Sequence, residues 1–380
     1  MKMHTFRWFL PSSIRSRTNY FEFDITKDCE VFLTQPLYYN RAVKFDSQYS
    51  LDQAFTEQIK QISIRIHPFT SAPMSNTHEA NAIMSKEIGS FPDFDHIIHR
   101  GNLRRAKGLV IVEIMFEGEY TYTQNLKTDE ETDIEKMLNW NMDFEDMRRK
   151  MISLASDICS FFLLGLHITY PTHSNSHESH KPQSSGLLSF VGDGEYIMDE
   201  HSDIFSYPLL LEENRVEALK TVLPQIAQVW HKNIWSFYRF LKGVRSDYIT
   251  IDNFLDLVFT LESFYDNNTS TEIMKLVSSV IVAENKGDAK RIQELLTYCF
   301  RIRNEVAHGG TNYRLYDHVP KKPSEPQDEL LIVQLYWDLK NLNLQLLYHG
   351  ILKILNNKHS MPPTAIRFGI SDISDKCILL

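Results

Sequence analysis

The apolar residues of this chain change their period part-way along it, and that change dictates two different kinds of packing. Residues 20–25 and 61–66 alternate apolar and polar side chains at period two. Residues 109–116 do so more strongly, with Val110, Val112 and Ile114 on one side. Such alternation is the signature of strands with one face turned to a core. Residues 130–167 then read as one long helix or two, with Met137, Leu138, Met142, Phe144, Met147, Met151 and Leu154 at roughly helical spacing. Residues 171–186 are rich in Ser, His and Pro and poor in apolar side chains, as a linker is. After about residue 212 the pattern is helical almost to the end. It predicts helices over 213–222, 225–241, 252–265, 271–284, 288–307 and 327–355, with Ser270 or Thr271 capping the fourth.

The expectation is therefore an α+β protein: an N-terminal mixed α/β-strand module over 1–170 that senses or regulates, a linker over 171–186, an all-α bundle over 187–358 and a C-terminal tail over 359–380. A chain of 380 residues is long enough for two ordinary domains. Its formal net charge of −9 argues against coating nucleic acid through bulk charge, so any RNA-binding groups must be concentrated locally. Cys29, Cys159, Cys299 and Cys377 show no CxxC or zinc spacing, which suits a reducing cytoplasm. The first residues lack the apolar core of a signal peptide. The most apolar run, 158–169, is too short to span a bilayer and reads as a buried helix, so no membrane partner is expected. The last four residues formally match a prenylation box, but Asp372 and Asp375 precede them where a polybasic stretch is usual; a tail that docks or frays is the simpler reading.

The chemistry concentrates at the end of the 288–307 helix, in Arg303-Asn304-Glu305-Val306-Ala307-His308. Ile292, Leu295, Leu296, Cys299, Phe300, Ile302, Val306 and Ala307 give this helix a broad apolar stripe, and Gly309-Gly310 ends it, because glycine takes the left-handed conformation at little cost. Arg303 shares its face with Leu296, Phe300 and Ala307. An arginine there needs a partner or a ligand, and an interhelical salt bridge is the plain alternative. Arg301 shares its face with Glu294, Thr297 and Glu305 and reads as a solvated surface residue. His308 follows Asn304 by one turn; it suits acid–base work, or simply caps the helix dipole. A guanidinium that grips phosphate, an imidazole that moves a proton and an amide that orients either one suit cleavage of RNA by its own 2′-hydroxyl. Such a reaction needs no metal or cofactor, and none is expected.

These six residues resemble the R-x4–6-H signature of HEPN ribonucleases, with the polar residue that family favours directly after the arginine. Gly309-Gly310 resembles the ending of the motif in the Apea-like branch. Residues 254–264, which contain the pair Leu261-Glu262, resemble that branch's early helix, and the long helix after the motif fits as well. The resemblance covers roughly residues 213–357. It implies a helical bundle that homodimerises so that two motifs face one RNA cleft. It also implies metal-independent endoribonuclease activity on tRNA or mRNA that leaves a 2′,3′-cyclic phosphate, in anti-phage abortive infection with a phage-encoded trigger. It assigns Arg303 to the phosphate, His308 to general acid or base work and Asn304 to orientation. Glu262 is a supporting carboxylate for Arg303 or His308, and Arg301 is the second choice for the motif arginine. The rival expectation is a non-catalytic module of the same kind, a dimerising or RNA-binding adaptor.

Three weaker signals remain. His173, His177 and His180 have ligand-like spacing but stand in the linker, where a solvated loop is the default. Residues 96–107 are the densest basic stretch. Lys232, Arg239, Lys242 and Arg245, with His231, interleave with Trp230, Trp235 and Tyr238, either as a stacking and phosphate surface or as core aromatics.

Overall fold

The computed structural model describes residues 2–12, 15–16, 20–33, 57–70, 76–88, 108–118, 151, 154–155, 157–169, 185–191, 195–201, 210–211, 213–244, 250–309, 313–314, 316–319, 331–356 and 365–373. The fold is α+β. In chain order the elements are β1 (Lys2–Ser12), β2 (Arg15–Ser16), β3 (Phe21–Asp24), α1 (Thr26–Leu33), β4 (Ile59–Pro68), α2 (Asn76–Ile88), β5 (Gly108–Gly118) and α3 (157–169). There follow β6 (Ser185–Val191), β7 (Glu195–His201), β8 (Leu210–Leu211), α4 (Glu213–Val244), α5 (Ile251–Glu262), α6 (Thr271–Val282), α7 (Lys286–Ala307) and α8 (Ile332–Asn356). The chain divides into two compact units, residues 1–162 with 183–216, and residues 163–182 with 217–380.

The first unit is built on an antiparallel sheet in the order β3-β4-β5-β1-β6-β7. β1 lies inside it and pairs with β5 over its whole length, Lys2 opposite Gly118 and Ser12 opposite Gly108. Alternation sends Phe6, Trp8, Val110, Val112, Ile114 and Ile64 to one face, each fully buried. Phe23 beside this face meets Phe162 edge-on, with ring centroids 5.1 Å apart. The opposite face carries Phe9, Leu109 and Ile111, and α2 covers them with Ala80 and Met84. Both faces are thus covered, which explains why residues 109–116 are apolar almost without interruption. The α2 face also carries four charges. Arg65 donates to Glu87 and to Glu113, at 2.7 Å each, and Arg7 shares Glu113. Two cations meet two carboxylates, so none is buried unpaired.

The strands expected at 20–25, 61–66 and 109–116 are β3, β4 and β5. The division between modules differs from expectation. Residues 185–201, assigned to the end of the linker and the start of the bundle, form β6 and β7, and β6 pairs with β1 from Phe6 to Phe9. Their alternation is interrupted by Gly and Asp, which weakens the strand signal. The basic stretch 96–107, the histidines at 173, 177 and 180, and residues 377–380 lie outside the described residues.

The second unit is helical. The run at 158–169 belongs to α3, which runs from the first unit into the second at residue 163, and every residue from 157 to 169 is buried. The two helices expected at 213–222 and 225–241 are one, because α4 runs through Pro224. An interior proline removes a hydrogen bond and costs about 3 kcal/mol. Here Pro224 and Lys220, the residue whose carbonyl it frees, are both exposed, so solvent satisfies that carbonyl. The other side of α4 buries Leu219, Leu223, Ile226 and Trp230, at roughly 1.5–3 kcal/mol per large side chain. α5 starts at a Thr250 capping box closed with Asn253, and α6 at an Ser270 cap.

Buried polar groups register the helices. Tyr336 of α8 donates to the Gly243 carbonyl of α4 at 2.8 Å, and Asn343 of α8 donates to the Leu257 carbonyl of α5 at 3.0 Å. The tail docks: Ile366, Phe368 and Ile373 are buried, the Ile366 amide donates to Asn233 at 2.6 Å, and Lys353 pairs with Asp372 at 2.7 Å. Cys29, Cys159 and Cys299 are buried thiols without disulfides. Among the described residues no helix is long and apolar enough to cross a membrane.

Candidate active site

α7 begins at an Asn285 cap whose side chain accepts from the Asp288 amide at 3.1 Å. Of the stripe read from the sequence it buries Ile292, Leu295, Leu296, Cys299, Phe300 and Ile302, whereas Val306 is half-buried and Ala307 exposed at the helix end. It ends at His308, whose amide donates to the Asn304 carbonyl at 3.1 Å, and Gly309 follows with φ +69°. That left-handed turn is why a glycine stands there. The stop therefore presents the last turn of α7 at the surface, with the Asn304 and Val306 carbonyls taken by the His308 and Gly309 amides.

Arg303 borders the buried stripe, and α5 supplies its partner. One terminal nitrogen, Nη2, donates to Glu262 Oε1 at 2.7 Å, and Nη1 donates to Asn304 Oδ1 at 2.7 Å. The side chains of Arg303 and Glu262 are 32% and 18% exposed, so the pair sits at the rim of the bundle. A guanidinium has five N–H donors. Two are engaged here and Nε is buried, which leaves two on the terminal nitrogens for an oxyanion. Asn304 and His308 are exposed, and the His308 imidazole makes no hydrogen bond or ion pair among the described residues.

The sequence thus brings Arg303, Asn304 and Glu262 together, with Glu262 holding the arginine rather than the histidine. The reading of Arg301 as a solvated residue is corrected. It is half-buried, with its guanidinium 4.9 Å from the centroid of the Tyr298 ring. Tyr298 lies one turn earlier on the same face, and a planar cation stacks on a ring more readily than it stays fully hydrated. Helical geometry separates the two arginines further. At about 100° and 1.5 Å per residue, Arg303 and His308 project roughly 140° apart and about 7.5 Å along the axis, whereas Arg301 and His308 project within about 20° of one another.

Tyr313 was not singled out by sequence. Its side chain is buried and its hydroxyl donates to Glu305, which pins the segment after the motif onto the last turns of α7. Asp317 then closes a short turn by accepting from the Arg314 amide at 2.7 Å, and His318 bridges to Leu331 ahead of α8. No local pattern signals such a tyrosine; only the folded return of the chain does.

Cys299 is fully buried, and burial pushes its thiol far up, so it is no nucleophile for this site. A cavity of about 330 Å³ lies between α7 and α8, lined by Glu284, Asp288, Arg291, Asp338 and Gln345. It opens at the start of α7, about 20 Å along the axis from the motif, and does not serve it. Among the described residues no group of three His, Cys, Asp or Glu side chains is placed to hold a metal ion. Comparison with known proteins gives no matching family model, no matching curated protein and no matching solved structure.

Proposed function

We propose that the helical unit is a HEPN-type, metal-independent endoribonuclease. The observation that carries this reading is the arginine at the rim of the bundle, held by Glu262 and Asn304 with donors to spare, one and a half turns before an exposed histidine at the helix end. Arg303 grips a phosphate and stabilises the charge that builds on it as the adjacent 2′-hydroxyl attacks. His308 takes the proton of that hydroxyl or delivers one to the departing 5′-oxygen. The products are a 2′,3′-cyclic phosphate and a free 5′-hydroxyl. Because Arg303 and His308 of one chain diverge around α7, the complete centre is composite: two chains pair through the helical unit so that the arginine of one and the histidine of the other meet at one phosphate. The substrate is tRNA or mRNA in the cytoplasm, and the sheet unit senses a phage-encoded trigger in an abortive-infection response.

The decisive experiment incubates the purified chain and its Arg303→Ala and His308→Ala variants with total RNA in the presence of EDTA. The ends are then mapped by ligation with and without removal of cyclic phosphate. Cleavage by the parent alone, with cyclic ends, is the expected result. Equal inactivity of all three overturns the reading.

One observation favours a second reading. Arg303 and Glu262 also have the geometry of an ordinary interhelical salt bridge. In that case the unit is a non-catalytic dimerising or RNA-binding adaptor, His308→Ala is silent, and Arg303→Ala lowers stability without touching RNA ends.

A further inference from the structure

The outward face of α4 has a composition that core packing does not explain. Gln228, Lys232, Trp235, Arg239 and Lys242 follow one another at spacings of four and three and are all exposed, so they form one ridge along the helix. Trp230 and Phe237 face the core instead, fully or almost fully buried. Trp235 is 57% exposed, with a cation one turn away on each side. A single exposed tryptophan is unremarkable in itself. This one stands in a stretch, residues 218–246, that contains no Asp or Glu, in a protein that carries 49 of them.

The cations are held in place from below. The carboxylate of Asp256, 3% exposed, receives Arg239 at 2.7 Å and Lys242 at 3.0 Å. Arg239 also lies over the Phe259 ring, 5.2 Å from its centroid. Counting Lys232, the ridge carries three cations while Asp256 below it holds two of them with one charge, so the ridge keeps a positive excess on an acidic protein. The ridge also points somewhere. Phe259 precedes Glu262 by one turn of α5, and Ser263, beside Glu262, donates to Ser236 of α4 at 2.7 Å. The Trp235–Arg239 segment is therefore adjacent to the end of α5 that holds Arg303.

We propose that this ridge is a binding track for single-stranded RNA: Trp235 stacks a base, Lys232, Arg239 and Lys242 follow the phosphates, and the strand is led toward Arg303. The inference deepens the ribonuclease reading and rests on it for the direction of the track. An aromatic platform flanked by cations is what an unpaired strand requires, since every base has a stacking face and every linkage a charge. A rigid double helix offers no free base to Trp235.

The test measures binding apart from cleavage. The full chain carrying His308→Ala is titrated into a fluorescein-labelled single-stranded RNA of mixed sequence, and anisotropy is followed over a range of salt. Adding Trp235→Ala weakens binding about tenfold, the order expected for loss of one base–aromatic stack, while Trp235→Phe keeps most of the affinity. Adding Lys232→Gln makes the plot of log affinity against log salt shallower by about 0.7, one phosphate contact on a single strand. Both sites are exposed, so melting temperatures stay at the parent value. Parent-like affinity and salt slope in Trp235→Ala and Lys232→Gln overturn the track, as does a parent that does not bind the oligonucleotide at low salt. Dissociation of a dimer by Trp235→Ala with RNA affinity intact overturns it in favour of a protein interface. Binding through the ridge by a wild-type chain that cuts no RNA supports the track and removes the nuclease reading.

Discussion

Glu262→Gln separates a carboxylate that positions Arg303 from one that merely bridges two helices. The carboxamide keeps an oxygen where Arg303 Nη2 now donates at 2.7 Å but removes the charge. A hydrogen bond to a charged group is worth about 1.5–3 kcal/mol and a neutral one about 0.5–1.5. A third of the Arg303 side chain faces water, so screening places the difference near the low end, about 1 kcal/mol. For a unit of this size that lowers the melting temperature by roughly 2–4 °C. In the proposed cleavage the same loss appears as poorer orientation of the guanidinium, and about 1 kcal/mol corresponds to a roughly fivefold lower kcat. KM does not rise, because a negative group has been taken away from beside the phosphate. The assay is single-substrate cleavage of a labelled RNA, read as separate kcat and KM, beside thermal unfolding of the same samples. An unchanged kcat with a lowered melting temperature would refute the positioning role and leave a structural salt bridge. A loss as large as that of Arg303→Ala would refute it differently, by showing that Glu262 does more than hold the arginine.

Three further outcomes follow from the packing. Burial lowers the Lys340 ammonium to about 7, against about 10.4 in an unfolded chain, so the unfolded state binds the proton more tightly between those values and stability rises with pH from about 7 to about 10. Lys340→Met removes that slope and stabilises the protein at neutral pH by up to about 4 kcal/mol; urea unfolding at neutral and alkaline pH checks it, and parallel stability profiles for parent and variant would contradict it. Glu113→Ala leaves Arg7 and Arg65, whose side chains are 21% and 12% exposed, with Glu87 as the remaining carboxylate of the cluster. Stripping a partner from such a pair costs about 3–5 kcal/mol, visible in chemical denaturation of the sheet unit, and a cost below about 1 kcal/mol would show the cluster to be open to water. Gly309→Ala meets no neighbouring atom, so its whole cost is the left-handed backbone at φ +69°, about 1–2 kcal/mol in thermal unfolding, with Gly309→Asn costing less.

How far the sequence could be read depended on whether a signal was local. α5, α6 and α7 were legible because each carries its buried stripe within one element, helped at α6 by the Ser270 cap and at α7 by the stop glycine Gly309. The join of α4 across Pro224 was not. A proline reads as a break unless the solvent exposure of Lys220 and the burial of Leu219, Leu223 and Ile226 are known, and those are properties of the packed unit. β6 was missed for a related reason: its partner β1 lies about 180 residues away, and pairing at that distance leaves no mark in a short window; β7 pairs locally with β6, but Gly and Asp between and within the two strands break the alternation. The site follows the same division. The tie between Arg303 and Glu262 could be anticipated, because an arginine on an apolar face needs a carboxylate and α5 ends in one. The place of Arg301 could not, since its polar neighbours on the helix face promised water and the Tyr298 ring covers it instead. That misreading bears on mechanism. With Arg301 half-buried beside Tyr298 and Arg303 held by Glu262 of α5, the two arginines have different surroundings. On an ideal helix Arg303 and His308 leave the backbone roughly 140° apart, so in the proposed chemistry a second copy of α7 supplies the histidine that meets this arginine's phosphate, and a variant that keeps the chain folded but monomeric should cut no RNA.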